Sequence, residues 1–140
     1  MEIKFVDSKS IKIKLTKEQW KQISSPEGIA KSLGQKDVIG FDLYDSDTLF
    51  GFSMLRKYSD TGWFLWDYAI DAKFQNKHYG QLALKKLIEY MNRNYGATEL
   101  STTYLWGNAH AKYIYEKIGF QETDVVEEDD CHEVNMLYII

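Results

Sequence analysis

The sequence holds one cysteine, one proline and no apolar run approaching the roughly 20 residues that a bilayer-spanning helix needs. A lone Cys131 excludes an internal disulfide framework and any four-cysteine zinc site, and no metal is expected. Such sparing use of cysteine suits a reducing cytoplasm. There is also no basic excess: 17 Lys and Arg stand against 21 Asp and Glu, for a net charge of −4. Nucleic-acid binding begins with phosphate neutralisation by a basic face, so nucleic acid is not the expected partner. The opening residues Met1-Glu2-Ile3-Lys4-Phe5 lack a signal-peptide core, and no membrane association is expected. These absences point to a soluble, cytoplasmic, single domain spanning 1–140, with a small molecule as its ligand.

What the chain does have is aromatic bulk. Four Trp, ten Tyr and seven Phe make up 15% of it, which argues against disorder. Ile3 to Val6 and Ile11 to Leu15 alternate apolar and polar residues and read as strand or extended edge. Thr16-Lys17-Glu18-Gln19 has capping-box spacing ahead of Trp20 and Ile23, and Ser25-Pro26 opens a second short helix anchored by Ile29 and Leu33. Val38–Tyr44, Leu49–Lys57 and Trp63–Asp71, separated by turn residues, predict an antiparallel meander. A polar loop, 72–80, then leads into Leu84, Leu87, Ile88 and Met91 at i, i+3, i+4 and i+7, with Gly96 placed to stop that helix. Glu99–Leu105 reads as a strand. A helix capped by Asn108 and closed by Gly119 follows, then two strands over Phe120–Val126 and Val134–Ile140. The order predicts an α/β fold with a central mixed, mostly antiparallel sheet of six to seven strands and helices on both faces.

The sharpest local feature is the stretch Asp71 to Gln81, between a strand and a helix start. A loop there can aim several backbone N–H groups at one point beside the helix's partial positive end, an arrangement suited to phosphate. Gly80 is read as the position free to take a positive φ, and Lys77 as a source of added positive charge.

Ile70–Gly80 with its helix resembles the acetyl-CoA motif of the GNAT superfamily of N-acetyltransferases, Q/R-x-x-G-x-G/A, with Gln75 first and Gly80 last. Asn108-Ala109-His110-Ala111-Lys112-Tyr113-Ile114-Tyr115-Glu116-Lys117-Ile118-Gly119-Phe120 resembles the superfamily's other signature, N-x-x-A-x-x-x-Y-x-K-x-G-F. His78 stands where the first motif has its middle Gly, so its amide serves a pyrophosphate only if His78 keeps the required dihedrals. The resemblance implies a splayed strand pair, Trp63–Asp71 against Glu99–Leu105, forming an acetyl-CoA cleft. It implies cofactor contacts from Tyr68, Ala69 and Ile70 along the pantetheine arm, from Gln75, Asn76, Lys77, His78, Tyr79, Gly80 and Gln81 at the phosphates, and from Asn108 and Tyr115.

The chemistry it implies is direct attack of an amine on the thioester, with an amide of the strand Trp63–Asp71 polarising the carbonyl and no covalent enzyme intermediate. Tyr115 matches the residue that protonates the departing thiolate, and Cys131 has no role. Candidates for removing the amine's proton are Asp67, Glu99, His110 or a water chain. Phe64 to Gln75 looks most like the bacterial spermine/spermidine acetyltransferase branch, and the acidic balance, with Glu127-Glu128-Asp129-Asp130, suits a polyamine. A homodimer is expected on resemblance alone. Two other classes stay open: a non-catalytic CoA-binding sensor domain of the same fold, and an interaction module without cofactor.

Overall fold

A computed structural model describes residues 1–128 and 131–140, and Asp129, Asp130 and the side chain of Cys131 lie outside the described residues. Seven strands form one sheet: β1 (Ile3–Asp7), β2 (Val38–Asp45), β3 (Thr48–Lys57), β4 (Gly62–Ile70), β5 (Glu99–Leu105), β6 (Gln121–Glu128) and β7 (Cys131–Ile139). Their order across the sheet is β1-β2-β3-β4-β5-β7-β6. Every pairing is antiparallel except β4 with β5. A parallel pair needs a crossover, and the helix α3 (Tyr79–Tyr95) supplies it.

α3 buries Leu84, Leu87, Ile88 and Met91 against the sheet, each worth about 1.5–3 kcal/mol, and ends on Gly96 at φ 68°. α4 (Ala109–Ile118) lies on the same face, with Tyr115 joining this main core. The opposite face carries a smaller core under α1 (Lys17–Trp20) and α2 (Pro26–Ser32), built from Ile29, Leu33, Val38, Phe52 and Met54. The expected capping box at Thr16 and the Ser25-Pro26 start are both present.

One expectation fails. Ile11–Leu15 is not a strand, although its alternation is real: Ile13 is buried in the smaller core while Lys12 and Lys14 face outward. A segment packed on a sheet face can bury alternate residues without joining a strand, and this one bends at Ile13. Its backbone partners are Asp71 Oδ2, which accepts from Lys14 N at 3.0 Å, and Ala72 N, which donates to Lys14 O at 2.9 Å.

Two bulges decide which side chains face which core. The β2–β3 register shifts at Leu43/Tyr44 and leaves Phe50 unpaired, so Phe50 faces the main core although Phe52 and Met54 face the other. The β3–β4 register shifts at Met54/Leu55 and leaves Trp66 unpaired. That second bulge marks the place where β4 parts from β5.

Candidate active site

β4 and β5 pair only over Gly62↔Glu99 to Leu65↔Thr102, although β4 runs on to Ile70 and β5 to Leu105. At the last rung Thr102 Oγ1 donates to Leu65 O at 3.0 Å. Beyond it the strands splay, as expected, and three cavities follow one another along the opening. The main one, about 630 Å³, lies between Tyr68, Ala69 and Ile70 of β4 and Leu105, Trp106, Gly107 and Asn108 on the other wall. An entrance cavity of about 280 Å³ shares Ile70, Gln75, Gly80, His110 and Ile114 with it. A small cavity of about 120 Å³ shares Tyr68, Asn108 and Tyr115 with the main one and no lining residue with the entrance.

The entrance cavity lies at the N-terminus of α3. The amides of Tyr79, Gly80 and Gln81 begin the helix without intrahelical acceptors, and no side chain caps them. They are free donors at the positive end of a 17-residue helix. His78 precedes them in the left-handed region, at φ 66° and ψ 6°, and Asn76 is left-handed as well. The backbone turn that the motif assigns to its middle Gly is thus made by a histidine. The expectation for Gly80 is corrected: it lies inside α3 without a positive φ, because the chain completes its turn two residues earlier. A Cβ there would meet Ile70 Cγ1 at 3.7 Å and Ile114 Cδ1 at 3.8 Å, ordinary contact distances that leave room for alanine.

Most of the anticipated residues come together. Tyr68, Ala69, Ile70, Gln75, Gly80, Asn108 and Tyr115 line the main cavity, and Asn76, His78 and Gln81 line the entrance. The side chains of Lys77 and Tyr79 line none of the three. Lys77 Nζ sits 6.0 Å from the Phe74 ring centroid, and Tyr79 packs on Phe50 and Phe74 with its hydroxyl on Asp45. Asn108 does two things at once. Its Oδ1 accepts from Ala111 N at 3.1 Å as the cap of α4, and its Nδ2 donates to Gln22 Oε1 at 3.1 Å across the mouth of the cleft.

Tyr115 is buried where the main and small cavities meet. Burial holds its phenol above the usual 10.0, the Thr102 hydroxyl pulls it down, and the charge of Asp67 pushes it up. Asp67 is 3% exposed and lines none of the cavities. Its Oδ1 accepts from Ser24 N at 3.2 Å while Oδ2 has no partner among the described residues. Burial therefore raises its pKa above 3.8, against the lowering effect of the Ser24 bonds. Of the other candidate bases, His110 lines the main cavity, whereas Glu99 sits at the far, paired end of β5 and accepts from the Tyr58 hydroxyl at 2.7 Å.

Sequence reading missed the wall supplied by α1 and the link after it. Gln19, Gln22 and Ile23 line the main cavity, and Gln19 Nε2 donates to Ile70 O at 2.7 Å on the splayed strand. The capping-box signal located Gln19 on a helix but carried no hint of what lay opposite. Trp66, Trp106 and Glu133 were missed as well: Trp66 stands at a bulge and Trp106 just past the end of β5, where alternation gives no direction, and Glu133 lies in β7 ahead of the strand start expected at Val134. Among the described residues no cluster of three or more His, Cys, Asp or Glu is arranged to hold a metal, and no helix is long and apolar enough to cross a membrane.

The sequence model of the Acetyltransferase (GNAT) family matches residues 9–120. A comparison with curated proteins returns no match. Among solved structures, a GNAT family acetyltransferase from Elizabethkingia anophelis with acetyl-CoA bound has a TM-score of 0.75 at 18% identity, over 99% of this chain and 98% of that one. A variant of the spermidine N-acetyltransferase SpeG from Vibrio cholerae has a TM-score of 0.70 at 16% identity, over 81% and 72%. The aminoglycoside acetyltransferase AAC(6')-Ib in complex with coenzyme A has a TM-score of 0.70 at 18% identity, over 87% and 80%. These likenesses concern the fold. The family match is broader in meaning, since it takes in both signature segments and the strands that splay between them, and the chain belongs to the Acetyltransferase (GNAT) family.

Proposed function

We propose that the protein is an acetyl-CoA-dependent N-acetyltransferase that acetylates a primary amine by direct attack within a ternary complex. The observation that carries this reading is the run of cavities from the uncapped start of α3, through the opened β4–β5 pair, to a polar pocket, with Tyr115 where the last two meet. The residues fit such a ligand. Free amides at Tyr79, Gly80 and Gln81 suit a pyrophosphate, and the unpaired stretch of β4 suits an extended amide-bearing arm. When bound, acetyl-CoA supplies the thioester whose acetyl group is transferred.

The chain's own part begins with β4. Beyond Leu65 its edge has no partner strand, so an amide of Tyr68 or Ala69 is available to polarise a carbonyl. The Ile70 carbonyl is already engaged by Gln19. Tyr115 keeps its proton on Oη across the working pH range and releases it as charge builds on the departing sulfur. An ordinary tyrosine lies about 1.5 pKa units above a thiol, roughly 2 kcal/mol, and burial widens that gap, so proton transfer accompanies C–S cleavage. Asp67 lines no cavity and is assigned a positioning role: its charge adds a smaller push to the burial that holds the proton on Tyr115, and its Ser24 bond fixes the segment after α1.

The test is titration calorimetry with acetyl-CoA, using ATP as a phosphate control, followed by thiol release in the presence of an amine panel that includes spermine and spermidine. Micromolar binding of acetyl-CoA with amine-dependent thiol release is expected. Binding without release from any amine would return the sensor-domain reading, and no binding at millimolar ligand would overturn both.

A further inference from the structure

The small cavity has a chemistry of its own. Its lining is largely polar and aromatic, including Trp66, Thr102, Thr103, Tyr104 and Tyr115, and Glu133 is the one charged side chain on it among the described residues. Glu133 belongs to β7, opposite Leu105 of β5 and Val126 of β6, and is half-buried. Among the described residues no Lys, Arg or His forms an ion pair with it. The guanidinium of Arg56 lies 5.6 Å over the ring of Trp66 and does not line the cavity. A half-buried carboxylate facing a pocket without a protein cation is matched to a cationic ligand.

The cavity, about 120 Å³, is the smallest of the three and adjoins the main one at Tyr68, Asn108 and Tyr115. We infer that Glu133 selects the acceptor by charge: its carboxylate binds the ammonium of a primary alkyl amine, whose charged end enters this cavity beside Tyr115. The inference rests on the acetyltransferase reading for the reaction that follows but not for the binding itself. A free alkyl amine and the side chain of a peptide lysine share this chemistry, and the test separates them.

The experiment uses the full chain saturated with CoA and follows n-butylamine by saturation-transfer NMR, with Nα-acetyl-lysine methylamide and the uncharged n-butanol as parallel probes. Signals from n-butylamine are expected, weak or absent in Glu133→Gln and partly restored in Glu133→Asp. n-Butanol is expected to give none. In turnover, Glu133→Gln should raise the KM for n-butylamine about 10–100-fold with the acetyl-CoA affinity unchanged. A stronger response to the lysine derivative than to n-butylamine would assign the site to peptide lysine, with Glu133 in the same role. Equal n-butylamine signals in wild type and Glu133→Gln, or n-butanol binding as well as n-butylamine, would overturn the inference. Absence of thiol release alone overturns the acetyltransferase reading and leaves the Glu133-dependent binding signal in place.

Discussion

The hydroxyl of Tyr68 donates to the carbonyl of Gly80 at 2.7 Å, tying the unpaired part of β4 to the first turn of α3. The two walls of the cleft entrance are thereby set at a fixed spacing. Burial, with a smaller push from Tyr115, lifts the Tyr68 pKa well above 10.0, so the hydroxyl remains a donor at any working pH. Tyr68→Phe removes one bond of about 1 kcal/mol and leaves a carbonyl at the cavity wall. A loss of about 4 °C in Tm is expected, together with a severalfold weaker affinity for acetyl-CoA in calorimetry. Unchanged affinity would show that this bond does not set the entrance.

His78 keeps a left-handed conformation that costs an L-residue about 1–2 kcal/mol. Glycine avoids that cost but loses about 0.5–1 kcal/mol of extra backbone entropy on folding. His78→Gly is therefore expected to gain about 0.5–1 kcal/mol net and to bind acetyl-CoA at least as well as wild type. His78→Val should lose stability, because a β-branched residue is a poor fit at positive φ. Denaturant melts of the two variants check the signs. A loss of stability in His78→Gly would mean that the imidazole makes contacts worth more than the strain.

Much of this site was legible because it is built on local signals. The α3 stripe, the Asn108 cap and the Gly96 stop each follow from spacing and from backbone chemistry within a few residues. Tyr115 was readable on the inward stripe of α4, and the two motifs fixed its context. What could not be read depends on long-range geometry. The bulge at Trp66 leaves no trace in Trp63–Ile70, where every residue but Asp67 is apolar or aromatic, yet it sits where the sheet opens. Ile11–Leu15 alternates like a strand, and only the presence of α1 and α2 on that face shows why it lies across the sheet instead of pairing. Glu133 lies just ahead of the strand start expected at Val134, and only its pairing with Leu105 brings it beside the cleft.

Asp67 gives a prediction whose sign follows from linkage. Its folded pKa is raised above 3.8 by burial, so folding favours the protonated form. The stability this contributes is complete below the unfolded value and is lost as pH rises through the folded one. Asp67→Asn keeps an oxygen for Ser24 N and carries no buried charge. It should be more stable than wild type at pH 7 by about 1 kcal/mol, the low end of the penalty for an unpaired buried group. The advantage should vanish below pH 3.8. Thermal melts at the two pH values decide it, and a destabilised variant at pH 7 would show that Oδ2 has a partner that matters.

The sharpest prediction concerns Tyr115 and the pH profile. An alkyl ammonium of pKa about 10.4 must lose its proton before attack, so the reactive fraction rises tenfold per pH unit below that value. The general acid must instead be protonated, and burial places Tyr115 above 10.0. The two requirements overlap without conflict up to about pH 10, so kcat/KM should climb through neutrality and show no downturn below it. Tyr115→Phe should lower kcat about 100-fold, the modest end of what general acid catalysis contributes, with acetyl-CoA affinity unchanged. Its profile should rise with the same slope, because the slope belongs to the amine. A downturn in wild type between pH 7 and 9 that disappears in Tyr115→Phe would place the phenol's pKa far below where burial puts it, with Tyr115 still the acid. Unchanged kcat in Tyr115→Phe would leave the sulfur to be protonated by water.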